Sequence, residues 1–162
     1  IGVTSISASS ATMTADFTAI AGGVGDHVRY DENGFNAAAG FSSTTAWLGV
    51  RFLNDTLFDN LDGVDVYIND GSGATVDIFY YSSMDGGTPS GLIYSQTGVA
   101  AGFGWSRLLF TTPQVFPIGA ERGVVLKIVN DSSHGPIVFD RYGTDAGRSY
   151  FSSDGNGTFA PM

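Results

Sequence analysis

Two aromatic residues are the first candidates for chemistry. Phe103 and Trp105 alternate with glycine in Ala101-Gly102-Phe103-Gly104-Trp105. Glycine lets the backbone turn sharply, and a large ring left exposed beside such a turn can stack on the face of a sugar. A tryptophan that opens a β-strand more often points into a core. The pair therefore reads either as a glycan platform or as packing.

Carboxylates are the second candidates. Three groups carry the oxygen donors that a hard cation such as calcium needs. They are Asp26 with Asp31, Glu32 and Asn33; Asp59 with Asn60 and Asp62; and Asp140 with Asp145. None has the twelve-residue spacing of an EF-hand, and each also suits a solvated turn. A glycosidase would need a pair of acids about 5–10 Å apart, and nothing singles such a pair out.

Other catalytic chemistry has little to work with. His27 and His134 are the only histidines, and the cysteine count is zero. Disulfides, thiolate metal sites and cysteine nucleophiles are thereby excluded. His134 lies in Asn130-Asp131-Ser132-Ser133-His134-Gly135-Pro136, a turn sequence. No nucleophile elbow, HExxH motif, P-loop or dinucleotide fingerprint occurs. Binding, not catalysis, is the expectation.

The elements that must position these residues follow from composition and period. Within 162 residues there are 16 acidic and 7 basic side chains, for a net charge of −9. Only Glu32 and Glu121 are glutamates and Lys127 is the sole lysine, so the chain lacks common helix formers. Aspartate and 23 glycines belong to turns instead. Such an acidic chain repels phosphate backbones, which argues against nucleic-acid binding. No apolar run approaches the roughly 18 residues of a membrane-spanning helix. The sequence opens at Ile1 in place of Met, which suggests a processed, exported product.

Period-two alternation predicts strands over Ala46–Leu53, Gly63–Asn69 and Ala74–Tyr81, with Val64, Val66, Ile68, Val76 and Ile78 facing a core. Gly123–Val129 is almost continuously apolar and reads as a central strand, with Leu126 and Ile128 inward. Shorter candidates are Leu92–Thr97, Ser106–Thr111, Ile137–Tyr142 and Ser149–Ser152. Asp70-Gly71-Ser72-Gly73 predicts a hairpin between its two flanking strands. Turn signals about every 8–12 residues indicate an all-β, two-sheet antiparallel β-sandwich of the jelly-roll type.

Residues 1–21 read as an N-terminal extension strand ahead of a sandwich domain over 22–162. From Ala11 to Ala19 the odd positions are Ala, Met, Ala, Phe and Ala, so Met13 and Phe17 share one face. Gly22-Gly23-Val24-Gly25 follows as a hinge. The strand can pack on its own sandwich or on that of a second copy, the latter giving a homo-oligomer through strand addition.

Several phrases in order carry a resemblance: Val28-Arg29-Tyr30-Asp31, Val50-Arg51-Phe52, Gly86-Gly87-Thr88-Pro89-Ser90-Gly91-Leu92-Ile93-Tyr94, Gly104-Trp105 and Pro117-Ile118-Gly119. Pro136-Ile137-Val138-Phe139-Asp140 and Ser149-Tyr150-Phe151-Ser152-Ser153-Asp154-Gly155 complete the set. From His27 onward the chain resembles the secreted bacterial jelly-roll domains of the gingipain cleaved-adhesin type. The resemblance implies a non-catalytic, calcium-stabilised sandwich used for adhesion, with Asp31 and Asp140 as the best-matching calcium positions. Such domains continue past the Asp-Gly turn into one more strand, which this sequence, ending Ala160-Pro161-Met162, leaves out.

The functional expectation is an extracellular or cell-surface structural and adhesive protein that self-assembles, as a filament subunit for example, with calcium as cofactor. The alternative is a carbohydrate-binding module of a secreted enzyme. A glycan or a host or matrix protein is the expected partner, with no nucleic acid and no membrane span.

Overall fold

The computed structural model describes residues 37–39, 45–69, 71–129, 137–139 and 147–161. Ten strands occur among them: β1 (Ala37–Ala39), β2 (Thr45–Leu53), β3 (Asn60–Ile68), β4 (Ala74–Asp85) and β5 (Thr88–Ala101). The others are β6 (Gly104–Val115), β7 (Glu121–Val129), β8 (Ile137–Phe139), β9 (Ser149–Ser152) and β10 (Ala160–Pro161). No helix occurs among the described residues.

One layer is a six-stranded antiparallel sheet in the order β10-β9-β2-β7-β4-β5. The other contains the antiparallel pair β3-β6, with the β1-β8 pair alongside because β8 approaches β3. The chain changes layer at nearly every step from β1 to β8, where only β4 and β5 are successive neighbours in one sheet; β9 and β10 form a second such pair. This alternation is that of two Greek keys wound into a jelly roll.

The expected hairpin at 70–73 is not formed. β3 pairs with β6, and β4 pairs with β5 and β7, so the turn carries the chain from one layer to the other. The reason is physical. Val64, Val66 and Ile68 on one side and Val76, Ile78 and Tyr80 on the other are all buried in one cluster. Facing each other across two layers, they bury more surface than they would side by side in one sheet. The observed hairpin is at Gly86-Gly87, where both glycines have positive φ (56° and 82°).

The inner core also takes Ala46, Leu48, Val50 and Phe52 from β2 and Val124, Leu126 and Ile128 from β7. All seven core residues expected from the sequence, five from alternation and two from the apolar run of 123–129, are buried. β7 is central, between β2 and β4, as its unbroken apolar run requires.

A second, smaller core covers the outer face of the six-stranded sheet. Met84, Val125, Tyr150 and Phe159 are buried there, with Trp47, Phe79 and Tyr81 packed against them. Residues 153–159 form the lid. Gly155 lies on the Trp47 indole so closely that any side chain there would clash. The Phe159 N–H donates to Gly87 O at 2.9 Å. Beyond the Asp-Gly turn the short strand β10 pairs with Tyr150 and Phe151 of β9. Phe159, 1% exposed, anchors the chain just before it.

Candidate binding face on strands β3 and β6

The outward face of the β3-β6 pair is built by register. Tyr67 lies opposite Trp105, Asp65 opposite Arg107 and Gly63 opposite Leu109. Alternation turns these residues away from the core because Val64, Val66 and Leu108 occupy the inward positions. From Trp105 to Leu109 the face runs about 13 Å at roughly 3.3 Å per residue.

Its aromatic end is a cluster of three rings. Tyr67 and Trp105 meet edge-on, with centroids 5.6 Å apart and planes at 81°. Phe103, in the turn before β6, meets Tyr67 at 6.4 Å and 63°. Phe103 is 64% exposed and Trp105 48%. Trp105 is therefore no core residue. Its strand begins at the sandwich edge, and Ser106, of opposite parity, is the residue turned inward there.

The polar part is a fork. Arg107 Nε donates to Asp65 Oδ1 and Arg107 Nη2 to Asp65 Oδ2, each at 2.8 Å. Asp65 is buried, whereas the Arg107 side chain is about half exposed. Such a bidentate pair locks the guanidinium plane.

Beside Phe103 an open groove of about 470 Å³ is lined by residues 71–75, 100–103 and Val129. Two turns meet there because Gly73, at φ 74°, has no side chain to strike the Ala101 carbonyl. Ser106 Oγ donates to Gly102 O at 3.2 Å and braces the turn that carries Phe103. The groove lies in the usual size range of small-ligand sites, about 300–1,000 Å³.

On the other flank of β6 the backbone edge is sealed by side chains of β5. The Thr111 N–H donates to Tyr94 Oη and Gln96 Oε1, each at 3.0 Å, while Gln96 Nε2 donates to Leu109 O at 3.3 Å. The Gln96 amide thus stands in for a neighbouring strand.

Of the residues that the sequence singled out, Phe103 and Trp105 come together here. Asp26, Asp31, Asp140, Met13 and Phe17 lie outside the described residues. In the Asp59-Asn60-Asp62 group, the Asp59 carbonyl accepts the Phe116 N–H. No set of three or more potential metal-ligating side chains occurs among the described residues. Sequence reasoning passed over Tyr67, Asp65 and Arg107. Tyr67 was detectable as an aromatic at an outward position of the β3 alternation. The Asp65–Arg107 pairing depends on the β3-β6 register and left no local signal.

No family model matches the chain, and no curated protein matches it. Among solved structures, one of the cysteine protease and lectin-like domains of Cwp84, a surface layer associated protein of Clostridium difficile, is similar with a TM-score of 0.49 and 17% identity. The match covers 74% of this chain and 28% of that one. No helix among the described residues is long and apolar enough to cross a membrane.

Proposed function

We propose that the chain is a non-catalytic extracellular binding domain that attaches to glycan through the outward face of β3 and β6. The observation that supports this most is the exposed pair Phe103 and Trp105, both in contact with the half-buried Tyr67, on the face that carries the Asp65–Arg107 fork. Aromatic rings stack on the C–H faces of sugars, while a fixed guanidinium satisfies hydroxyls. Among the described residues the other strongly exposed apolar side chains, such as Leu57, Val115 and Ile118, are aliphatic, and the one further exposed ring, Phe151, is less exposed than Phe103 and Trp105. The sequence resemblance to cleaved-adhesin domains supports an extracellular, adhesive setting.

A glycan array probed with the intact protein and with Trp105→Ala tests the reading. Signals that vanish in the variant support it, and an array unaffected by the substitution refutes it. Self-assembly through Met13 and Phe17, and calcium at Asp26, Asp31 and Asp140, are separate proposals. Size-exclusion chromatography of the full chain and of a variant lacking residues 1–21, with calcium or chelator, tests both. Unchanged elution and melting temperature in every condition would dismiss them.

A further inference from the structure

The cover over Trp47 carries a reactive pair of residues that the glycan reading does not use. We infer that Asn156 is a site of spontaneous covalent modification, cyclising with the Gly157 nitrogen and hydrolysing to aspartate and isoaspartate, and that this change loosens the cover over Trp47. The inference is independent of the proposed function.

A backbone nitrogen attacks the preceding asparagine amide only where the chain is open and the attacking residue is small. Asn156 and Gly157 are both exposed. Gly157 has φ 66°, and a side chain there would meet nothing within 4 Å. Among the described residues no hydrogen bond holds the Gly157 N–H. The Asp154 carboxylate accepts the Asn156 N–H at 3.0 Å and lies beside the Asn156 side-chain amide. These contacts tether Asn156 from its N-terminal side and leave the Gly157 side open.

The adjoining pair Asp154-Gly155 shows the contrast. The Gly155 N–H donates to Ser152 Oγ at 2.9 Å, so the attacking nitrogen is held. The Asp154 carboxyl is kept ionised by bonds from Asn156 and Ser152, and a carboxylate resists nucleophiles. Asn54 is 2% exposed, and its amide donates to the Phe58 and Phe116 carbonyls. Asn60 and Asn69 are followed by Leu61 and Asp70 in place of glycine. Asn33-Gly34 is the other Asn-Gly pair of the sequence and lies outside the described residues.

The chemistry needs only hydroxide and water. The Gly157 nitrogen gives its proton to hydroxide and bonds to Asn156 Cγ. The Cγ–Nδ2 bond breaks, and Nδ2 leaves as ammonia. Water then opens the succinimide at either carbonyl. Opening at Cγ gives aspartate, and opening at the main-chain carbonyl gives isoaspartate, whose Cβ becomes part of the backbone.

Both products disturb a segment that is fixed at each end. Gly155 lies on the Trp47 indole, while Thr158 Oγ1 meets Thr88 Oγ1 at 2.7 Å and Phe159 N–H donates to Gly87 O at 2.9 Å. An added backbone atom between these anchors must shift one of them. The new carboxylate also repels Asp154, two residues away.

The test uses the full chain and Asn156→Gln, each in a Trp105→Phe background that leaves Trp47 as the sole tryptophan. Samples are aged in mildly alkaline buffer. Peptide mapping reads the amide-to-acid mass gain at each asparagine, isoaspartyl methyltransferase labelling detects isoaspartate, and acrylamide quenching reports access to Trp47. The expected result is isoaspartate at Asn156 before any conversion at Asn54, Asn60 or Asn69, with Trp47 quenching rising in step. Neither change is expected at this site in Asn156→Gln. An intact Asn156, or conversion at Asn54, Asn60 or Asn69 ahead of it, overturns the site. Conversion at Asn156 with constant quenching, or a rise in quenching that persists in Asn156→Gln, overturns the loosening of the cover.

Discussion

Trp47 and Trp105 are the only tryptophans of the chain, and their surroundings share parts while differing in outcome. Each has an aromatic neighbour with centroids 5.6 Å away, Phe79 for Trp47 and Tyr67 for Trp105. Each lies near a cross-strand pair of cation and carboxylate, Lys127–Asp77 at 3.2 Å and Arg107–Asp65 at 2.8 Å. On the outer face of the six-stranded sheet, residues 153–159 close over the indole, and Lys127 Nζ stands 5.6 Å from its ring centre. On β3-β6 Trp105 and Phe103 are exposed, with Tyr67 half-buried between them and the sheet. The same outward alternation thus serves as packing where residues 153–159 cover it and forms the proposed binding surface on β3-β6. The cations differ accordingly. A lysine ammonium is a point charge suited to sitting over a ring, whereas the arginine fork is held in one plane by Asp65.

Separate perturbation of the two faces should give opposite phenotypes. The largest effect is expected from Phe159→Ala on the covered face. Removing this buried ring should cost about 3–5 kcal/mol in urea denaturation, with glycan affinity of the folded protein unchanged. A parallel loss of affinity would mean that the faces are coupled. Next comes Trp105→Ala, which should weaken glycan binding by about 2 kcal/mol in calorimetry. Its stability should change by less than ~1 kcal/mol, because the side chain is already half exposed.

A smaller effect is expected from Arg107→Lys. Charge is kept but the fork to Asp65 is lost, so affinity should fall a few-fold and stability by about 1 kcal/mol. Equal affinity in that variant would remove the guanidinium from the account.

The smallest effect concerns the lid itself. Asn156 N–H and Ser152 Oγ–H donate to the Asp154 carboxylate and hold its pKa below the ordinary value of 3.8. A depressed carboxyl pKa contributes stability that is present above the unfolded value and lost as pH falls through the folded one. Acidification below about pH 4 should therefore loosen the lid, read as a change in Trp47 fluorescence in a Trp105→Phe background. Asp154→Asn should abolish that pH dependence. A transition identical in the two proteins would assign it to another carboxylate.

Much of the sandwich was legible in the sequence. Alternation in 46–53, 63–69 and 74–81 identified three strands and their inward faces, because burial on one side of a pleated strand imposes a period of two. The unbroken run of 123–129 marked the central strand for the complementary reason. What failed was partner choice. Asp70-Gly71-Ser72-Gly73 specifies a reversal, and nothing in a turn says whether the next strand joins the same sheet or the facing one. Residues at 70–73 alone therefore could not distinguish a hairpin from the observed crossing.

The candidate face was half legible for a related reason. Phe103 and Trp105 stood out by type, but whether a ring is covered depends on distant chain. Gly155, remote in sequence, covers Trp47, and no comparable lid among the described residues closes over Trp105. Tyr67 and the Asp65–Arg107 fork required the register of β3 on β6, a contact some 40 residues apart in the chain.

The measurement that bears most directly on this contrast is a two-dimensional 1H–15N NMR titration of the full chain with hexasaccharides of glucose, mannose, xylose and N-acetylglucosamine. Two indole N–H signals are expected, one for each tryptophan, assigned with Trp105→Phe. Progressive movement of the Trp105 signal with a stationary Trp47 signal is the predicted result. A Trp105 signal that stays fixed through every titration, or a Trp47 signal that moves in its place, would contradict the account.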